Sequence, residues 1–221
     1  MFYVKILLII IAFSLLACGK KTDKQKTNPV ALRLNDRAVG LYPYIDNIDS
    51  ANKAIKLLDS ATIIDSNYFL GYYNKLGFLN QNREYEKAIK TINILIRIRP
   101  YANDIYLIGG VIYEVMGDSL SSRVYFQKSL ARCDRVLDTM STANRDYIGL
   151  AINESMNLIM LGQQTNGNLL LKQVYENQPD SSLKELMHPF LNRSRQEIID
   201  MLLNPKKYWP TVSSSAEAKY N

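Results

Sequence analysis

Histidine and cysteine are scarce in this chain of 221 residues, which contains one histidine and two cysteines. Protein metal sites usually draw several ligands from these residue types, so the composition argues against a metal centre. A Ser-His-Asp or Cys-His arrangement would have to use His188, which precedes Pro189 and has no nucleophile-elbow pattern nearby. We therefore expect no catalytic residues, no metal, no cofactor and no enzymatic activity.

Motifs for phosphate binding and for internal disulfides are also missing. The chain has no glycine-rich phosphate loop, and Gly109-Gly110 fits close helix packing instead. Glu84 and Glu86 bracket a predicted turn before a helix, where acidic side chains are solvated or favoured by the helix dipole. Cys133 ends a predicted helix with apolar neighbours, which predicts a buried thiol, with a disulfide between two chains as the alternative.

Positive charge is concentrated near the amino terminus, although the whole chain carries a formal charge of +6 and has a pI near 9.1. Residues 18–33 contain five basic side chains and one acidic side chain, a net charge of +4. Lys5 accounts for one further charge, so residues 34–221 carry a net charge of only +1. This distribution argues against nucleic acid as a partner and favours a basic tether beside an anionic membrane, or a solvated spacer.

Small and apolar residues recur every 34 residues through the middle of the chain. Counting Phe69 as position 1, positions 4, 8, 11, 20, 24, 27 and 32 are Tyr72, Leu76, Leu79, Ala88, Ile92, Leu95 and Pro100. Counting from Asn103, positions 4, 8, 11, 20, 24 and 27 are Tyr106, Gly110, Tyr113, Ser122, Phe126 and Ser129. The spacing predicts stacked helix pairs that share a core, with small side chains at positions 8 and 20 where two helices approach closely.

This pattern resembles the tetratricopeptide repeat, in which each unit is a pair of antiparallel helices. The resemblance implies an all-α fold, a right-handed α-solenoid spanning residues 34–180. Its approximately four units are expected at 35–68, 69–102, 103–136 and 148–181. The first unit is degenerate, because Pro43 interrupts a first helix expected at about 34 to 48.

The fourth unit follows a slip of about 11 residues relative to the 34-residue repeat. Counting from Ile148, small residues return at positions 8 and 20 as Ser155 and Gly167, and Gly162 falls at position 15. In the preceding unit, Gly117-Asp118 occupies the corresponding turn. The sequence therefore predicts the same pair of helices after the slip.

A capping helix is expected at 181–203, followed by a polar tail at 204–221. Ser182 and Glu185 have the spacing of a capping box at the start of this helix, and Pro189 is expected to interrupt it. Its predicted buried stripe contains Leu191, Ile198, Ile199 and Leu202. Arg193, Arg195 and Glu197 are expected on the solvent side.

The amino terminus has the features of an export signal. Lys5 precedes an apolar run from Ile6 to Leu16, which is shorter than a membrane-spanning helix. The run ends in Leu-Leu-Ala-Cys18, which resembles the lipobox of bacterial lipoproteins. The resemblance implies a signal peptide at 1–17 and a basic tether at 18–33, with Cys18 carrying acyl chains such as palmitate as a membrane anchor.

Gly19 follows this cysteine, so the aspartate that retains lipoproteins in the inner membrane of enteric bacteria is missing. We expect a lipoprotein of the cell envelope, on the outer membrane facing the periplasm in a Gram-negative cell. In a Gram-positive cell the same signal would leave the protein facing outward.

In the tetratricopeptide family, the first helix of each unit lines a binding groove through positions 2, 5, 9 and 12. The predicted groove residues of this chain are Tyr73, Asn80, Asp104, Leu107, Val111, Glu114, Ile152 and Met156. Such a surface would suit an apolar or amphipathic segment with a basic residue. The alternative is that the superhelix or a neighbouring repeat covers these side chains.

Together these features predict a lipid-anchored envelope scaffold, an adaptor or assembly factor that binds another envelope protein or peptide. The alternative is an immunity-type lipoprotein that sequesters a toxin in the periplasm. The membrane is contacted through the lipid anchor on Cys18, and a homodimer through the groove or an end face is a further possibility.

Overall fold

The computed structural model describes residues 27–137, 140, 145–204 and 207 of the chain. Ten α-helices and no strand occur in these residues, which confirms the predicted all-α fold. The helices are α1 Pro29–Val39, α2 Ile48–Ile64, α3 Phe69–Gln81, α4 Tyr85–Ile98, α5 Asn103–Val115, α6 Ser119–Leu137, α7 Arg145–Met160, α8 Gln164–Asn177, α9 Ser181–Met187 and α10 Arg195–Leu203. The predicted signal peptide, Cys18 and the tail beyond residue 207 lie outside the described residues.

Each helix from α1 to α7 packs against the helix that follows it in the chain. Helices α1 and α3 also contact each other, as do α5 and α7, so alternate helices lie side by side. The largest buried cluster runs through these layers from Phe69 on α3 to Leu203 on α10. Local packing therefore builds a core along the chain. Within the described residues, no helix is long and apolar enough to cross a membrane.

The same three-residue turn joins α3 to α4, α5 to α6 and α7 to α8. Its middle residue has a positive φ angle each time, 57° at Arg83, 81° at Gly117 and 88° at Gly162. In each turn the amide of the next residue donates to a carbonyl five residues earlier: Glu84 to Leu79 at 2.8 Å, Asp118 to Tyr113 at 2.9 Å and Gln163 to Leu158 at 2.8 Å. This 6→1 hydrogen bond ends a helix in the left-handed conformation that glycine adopts most easily.

Small residues bring the helices of a pair together at the predicted positions 8 and 20. The Ser155 hydroxyl on α7 donates to the Gly167 carbonyl on α8 at 2.8 Å. A Cβ atom at Gly167 would lie 2.6 Å from the Ser155 carbonyl oxygen, and one at Gly110 would lie 2.4 Å from the Phe126 ring. Larger side chains at these two glycines would push the helices apart.

The amino-terminal part differs from the predicted boundaries. Helix α1 begins at Pro29, inside the range predicted for the tether, because the Asn28 side chain caps the Val30 amide and proline is favoured at a first helical position. Pro43 does not interrupt a helix. It lies in a 3₁₀ turn, Tyr42–Tyr44, that joins α1 to α2. At this position no α-helical hydrogen bond needs the amide hydrogen that proline lacks.

The carboxyl-terminal segment contains two helices separated by the 3₁₀ turn His188–Phe190, at the interruption predicted near Pro189. The capping box predicted at Ser182 is wrong, because the Asp180 side chain caps α9 by accepting from the Ser182 amide at 2.8 Å. The capping box lies instead at the start of α10, between Ser194 and Glu197. Both serines have glutamate three residues later, so the motif alone did not distinguish them.

Candidate functional site

Helix α10 lies across one face of the helix stack. It contacts α3, α5 and α7, the first helices of the three pairs that share the repeated turn. We call the surface formed by these three helices the first-helix face. The predicted groove residues belong to the same three helices, so α10 lies on the surface where the sequence predicted a bound segment.

Apolar side chains hold α10 on this face. Ile198, Met201 and Leu203 of α10 are buried, and they share one core cluster with Leu107 of α5 and Met156 of α7. Complete burial of an aliphatic side chain of this size contributes about 1.5–3 kcal/mol. Because α10 has only nine residues, this packing rather than helix propensity stabilises it.

An ion pair holds the start of α10 on the face. The Arg195 guanidinium lies 2.8 Å from Glu114 Oε1, and the two side chains are 39% and 24% exposed. The second carboxylate oxygen of Glu114 accepts a hydrogen bond from the Ser122 hydroxyl at 2.9 Å. The first residue of α10 is therefore held beside the last turn of α5.

Arg195 is the residue that sequence reasoning misplaced. It was expected on the solvent side of the capping helix, whereas it contacts the first-helix face through Glu114. The periodicity of α10 gave no signal for this contact, because its partner lies 81 residues earlier in the chain. The available signal was Glu114 itself, an acidic residue on a face predicted to suit a segment with one basic residue.

The start of α10 is stabilised by contacts within its own segment. Ser194 and Glu197 form a reciprocal capping box, with the Ser194 amide donating to Glu197 Oε2 at 2.9 Å. Arg193 adds an ion pair to Glu197 at 3.0 Å. Hydrogen bonds from the Ser194 amide and hydroxyl, and then from Arg193, lower the pKa of Glu197 to about 2. The helix thus has an amino-terminal cap that does not depend on the first-helix face.

A polar cluster lies at the other end of the face, where α5 begins. Asp104 is 8% exposed, and among the described residues neither of its carboxylate oxygens makes a hydrogen bond of normal geometry. Burial raises the pKa of Asp104 to about 6, although nearby backbone amides, the Arg99 charge and the Tyr73 hydroxyl lower it in part. Burial, and then the Asp104 charge, raise the pKa of Tyr73 well above its ordinary value.

Aromatic and cationic side chains surround this cluster. The Arg99 guanidinium carbon lies 4.1 Å from the centre of the Phe69 ring, and the Phe69 and Tyr73 rings stack with their centres 6.0 Å apart. These contacts connect the residue that follows α4 with the first turns of α3. The face therefore has an acidic group at each end, Glu114 and Asp104, and apolar side chains between them.

The predicted groove residues are brought together but not left open. All eight are buried or partly buried: Tyr73, Asn80, Asp104, Leu107, Val111, Glu114, Ile152 and Met156. Of these, Glu114 makes the ion pair with α10. The face is therefore closed in this structure, and α10 is one of the elements that cover it.

The structure also shows the surroundings of His188 and Cys133, the other residues considered for chemistry. His188 is exposed at the start of a 3₁₀ turn. Cys133 is buried, as predicted, and its sulfur accepts a hydrogen bond from the Asn103 amide at 3.0 Å. The described part of the chain contains no group of three or more His, Cys, Asp or Glu side chains that could hold a metal ion.

Comparison with protein-family models finds no match for this chain, and comparison with curated proteins finds none.

Proposed function

We propose that this protein is a lipid-anchored scaffold of the cell envelope that binds a protein or peptide segment on its first-helix face. One observation carries the proposal. An amphipathic helix with a basic residue, α10, already lies on this face, and its arginine pairs with Glu114. This is the kind of segment that the predicted groove residues suit, so the face has the chemistry to bind such a helix.

The proposal includes a tetratricopeptide-like α-solenoid. The recurrence of one turn geometry at Arg83, Gly117 and Gly162 supports it, because these residues occupy the same position of three predicted units. The close contacts at Gly110 and Gly167 support it as well, since the repeat requires small residues there. A stack of this kind presents the first helices of its units on one continuous surface.

The anchor is proposed from the sequence. Acylation of Cys18 would attach the chain to the membrane, and two or more acyl chains make such attachment stable. Asn28, the cap of α1, lies ten positions after Cys18, and a chain of that length spans at most about 35 Å. The helical domain would therefore work close to the bilayer, on the outer membrane facing the periplasm in a Gram-negative cell.

A crosslinking capture from cell envelopes tests the face. The native lipoprotein is compared with Glu114→Arg, which reverses the charge on the face without opening a cavity. Glu176→Arg is the matched control, because Glu176 lies on α8, is 60% exposed and pairs with Lys172 at 3.8 Å. We expect a dominant protein that is captured by the native chain and by the control but is lost from Glu114→Arg.

Equal capture by all three proteins would overturn the role of the face. The same envelopes test the anchor, because Cys18→Ser should remove labelling by radioactive palmitate and release the protein from sedimented membranes. The identity of the captured protein distinguishes the two predicted roles. A secreted toxin would favour the immunity-type alternative, and an assembly component would favour the scaffold.

A further inference from the structure

We infer that α10 is an internal substitute for the partner's helix, and that the partner binds by displacing it. The partner segment is then an amphipathic helix with an arginine in its first turn and apolar residues three, six and eight positions later. These positions correspond to Arg195, Ile198, Met201 and Leu203. The inference rests on the proposed function of the first-helix face, and it specifies both the partner's chemistry and how the face is regulated.

The amino-terminal cap of α10 does not depend on the first-helix face. Its capping box joins Ser194 to Glu197, and Arg193 connects Glu197 to the Pro189 carbonyl, which it contacts at 2.7 Å. The contacts among residues 193–197 move with α10, whereas the hydrogen bond to Pro189 spans residues 191–192 and would be lost in the movement. The ion pair of Arg195 with Glu114 would be lost, and a partner arginine would restore it.

The segment before α10 provides a place for the movement. Leu191 and Asn192 lie between the 3₁₀ turn and α10, and Asn192 has a φ angle of 55°. These two residues form a turn, and asparagine tolerates this left-handed conformation better than most residues. A change of backbone angles at these two residues would swing α10 away from the face.

Helix α9 would stay in place during this exchange. It contacts α7 and α8 at the end of the stack, and its side chains Leu183, Leu186 and Met187 are buried. The last helix pair therefore keeps an apolar cover when α10 leaves. Displacement affects the first-helix face and leaves the end of the stack closed.

The exchange requires a partner that closely matches α10. Displacement exposes the apolar side chains of α10, so only a segment that buries a similar apolar area on the face compensates for the loss. A covalently attached helix has an effective concentration at the face of about millimolar. A free partner at a lower concentration must therefore bind the face more tightly than α10 does. The apparent affinity for the partner is therefore the intrinsic affinity multiplied by the fraction of molecules in which the face is open.

A labelled peptide of residues 193–204 tests the exchange by fluorescence anisotropy against the full mature chain. Ile198→Asp with Met201→Asp releases α10 by placing charges at two buried positions. Gln196→Asp is the matched control, because Gln196 is exposed on the same helix. We expect the released variant to bind the peptide at least tenfold more tightly than the native chain and the control.

The ion pair gives a second, independent readout. A peptide carrying Arg195→Glu should bind the released variant about tenfold more weakly, as expected for loss of a partly buried charged pair. Adding Glu114→Arg to the released variant should restore binding of the Arg195→Glu peptide. Recovery by this charge reversal would place the peptide in the position of α10 on the face.

A folded released variant that binds the peptide no better than the native chain would overturn the inference. Circular dichroism checks its folding, and if it does not fold, the single change Arg195→Glu takes its place with the same expected direction. Envelope capture distinguishes this failure from failure of the proposed function. Capture that depends on Glu114 but does not increase in the released variant would keep the function and refute displacement. Capture that depends neither on Glu114 nor on the release of α10 would refute both the proposed function and displacement.

Discussion

Replacement of Asp104 by asparagine should stabilise the protein at neutral pH. The folded protein holds the pKa of this carboxyl at about 6, against an ordinary value of 3.8, because the group is buried. An acid whose pKa is raised by folding stabilises the folded state only when it is protonated. Its contribution is complete below pH 3.8 and is lost as the pH rises to about 6.

The size of the effect follows from the two pKa values. Each unit of difference corresponds to about 1.4 kcal/mol, so ionisation of Asp104 lowers the free energy of unfolding by up to about 3 kcal/mol at pH 7. The asparagine side chain has no charge to bury and a shape similar to that of aspartate. We therefore expect the free energy of unfolding of Asp104→Asn to exceed that of the native chain by up to that amount at pH 7. Below pH 4 the two free energies should be equal.

Urea unfolding at half-unit steps between pH 4 and pH 8 measures this difference. Subtracting the native values from those of Asp104→Asn cancels the titration of the other carboxyls, including Glu197, whose lowered pKa gives a slope of opposite sign. Asp180→Asn is the control, because hydrogen bonds that Asp180 accepts from Ser182 lower its pKa, so removal of its charge should destabilise the protein above the ordinary pKa of 3.8. A pH-independent difference for Asp104→Asn, or a less stable variant at pH 7, would refute the reasoning.

Three further changes test the repeated turn, the close helix contact and the cap of α10. Gly117→Ala should lower the free energy of unfolding by about 1 kcal/mol, because alanine disfavours the positive φ angle, while Arg83→Gly should raise it by about 0.5 kcal/mol in the same urea assay. Gly167→Ala should lower the melting temperature, because the added methyl group would clash with a backbone carbonyl of α7. Gly77→Ala should raise the melting temperature, because its methyl group would lie 3.8 Å from the nearest neighbour. A fall for both variants would contradict the packing argument. Ser194→Ala should cost about 1 kcal/mol and speed hydrogen exchange of the α10 amides about fivefold, with α7 unchanged as the internal reference.

Features set by short spacings were predictable from the sequence. The 34-residue repeat gave the first residues of α3 and α5, Phe69 and Asn103, and the turn position of Gly117. These features depend on helix geometry and on residues that contact each other within one pair. The start of α7 at Arg145 was predicted three residues late, because the slip between the repeats removed the register that fixed the other starts.

Features that depend on distant contacts were not predictable in the same way. The pattern of α10 was amphipathic, but nothing local showed that Arg195 would pair with Glu114. Likewise, the groove residues could be named from their positions, but the packing of α10 against their helices could not, because α10 comes later in the chain than all of them. Asp104 was named as a groove residue, but its raised pKa follows from its burial, which the sequence did not show.

The position of α10 also affects how the chain folds during synthesis. Neighbouring helices can pack as soon as each has left the ribosome, because most helix–helix contacts in the stack join helices that are consecutive in the chain. Helix α10 is the exception, since it connects three helix pairs that otherwise interact mainly with their neighbours. Until residue 203 emerges, the nascent stack lacks this connection and its first-helix face is uncovered. Once α10 is in place, it couples the three pairs, so that they unfold more nearly as one cooperative unit than as separate repeats.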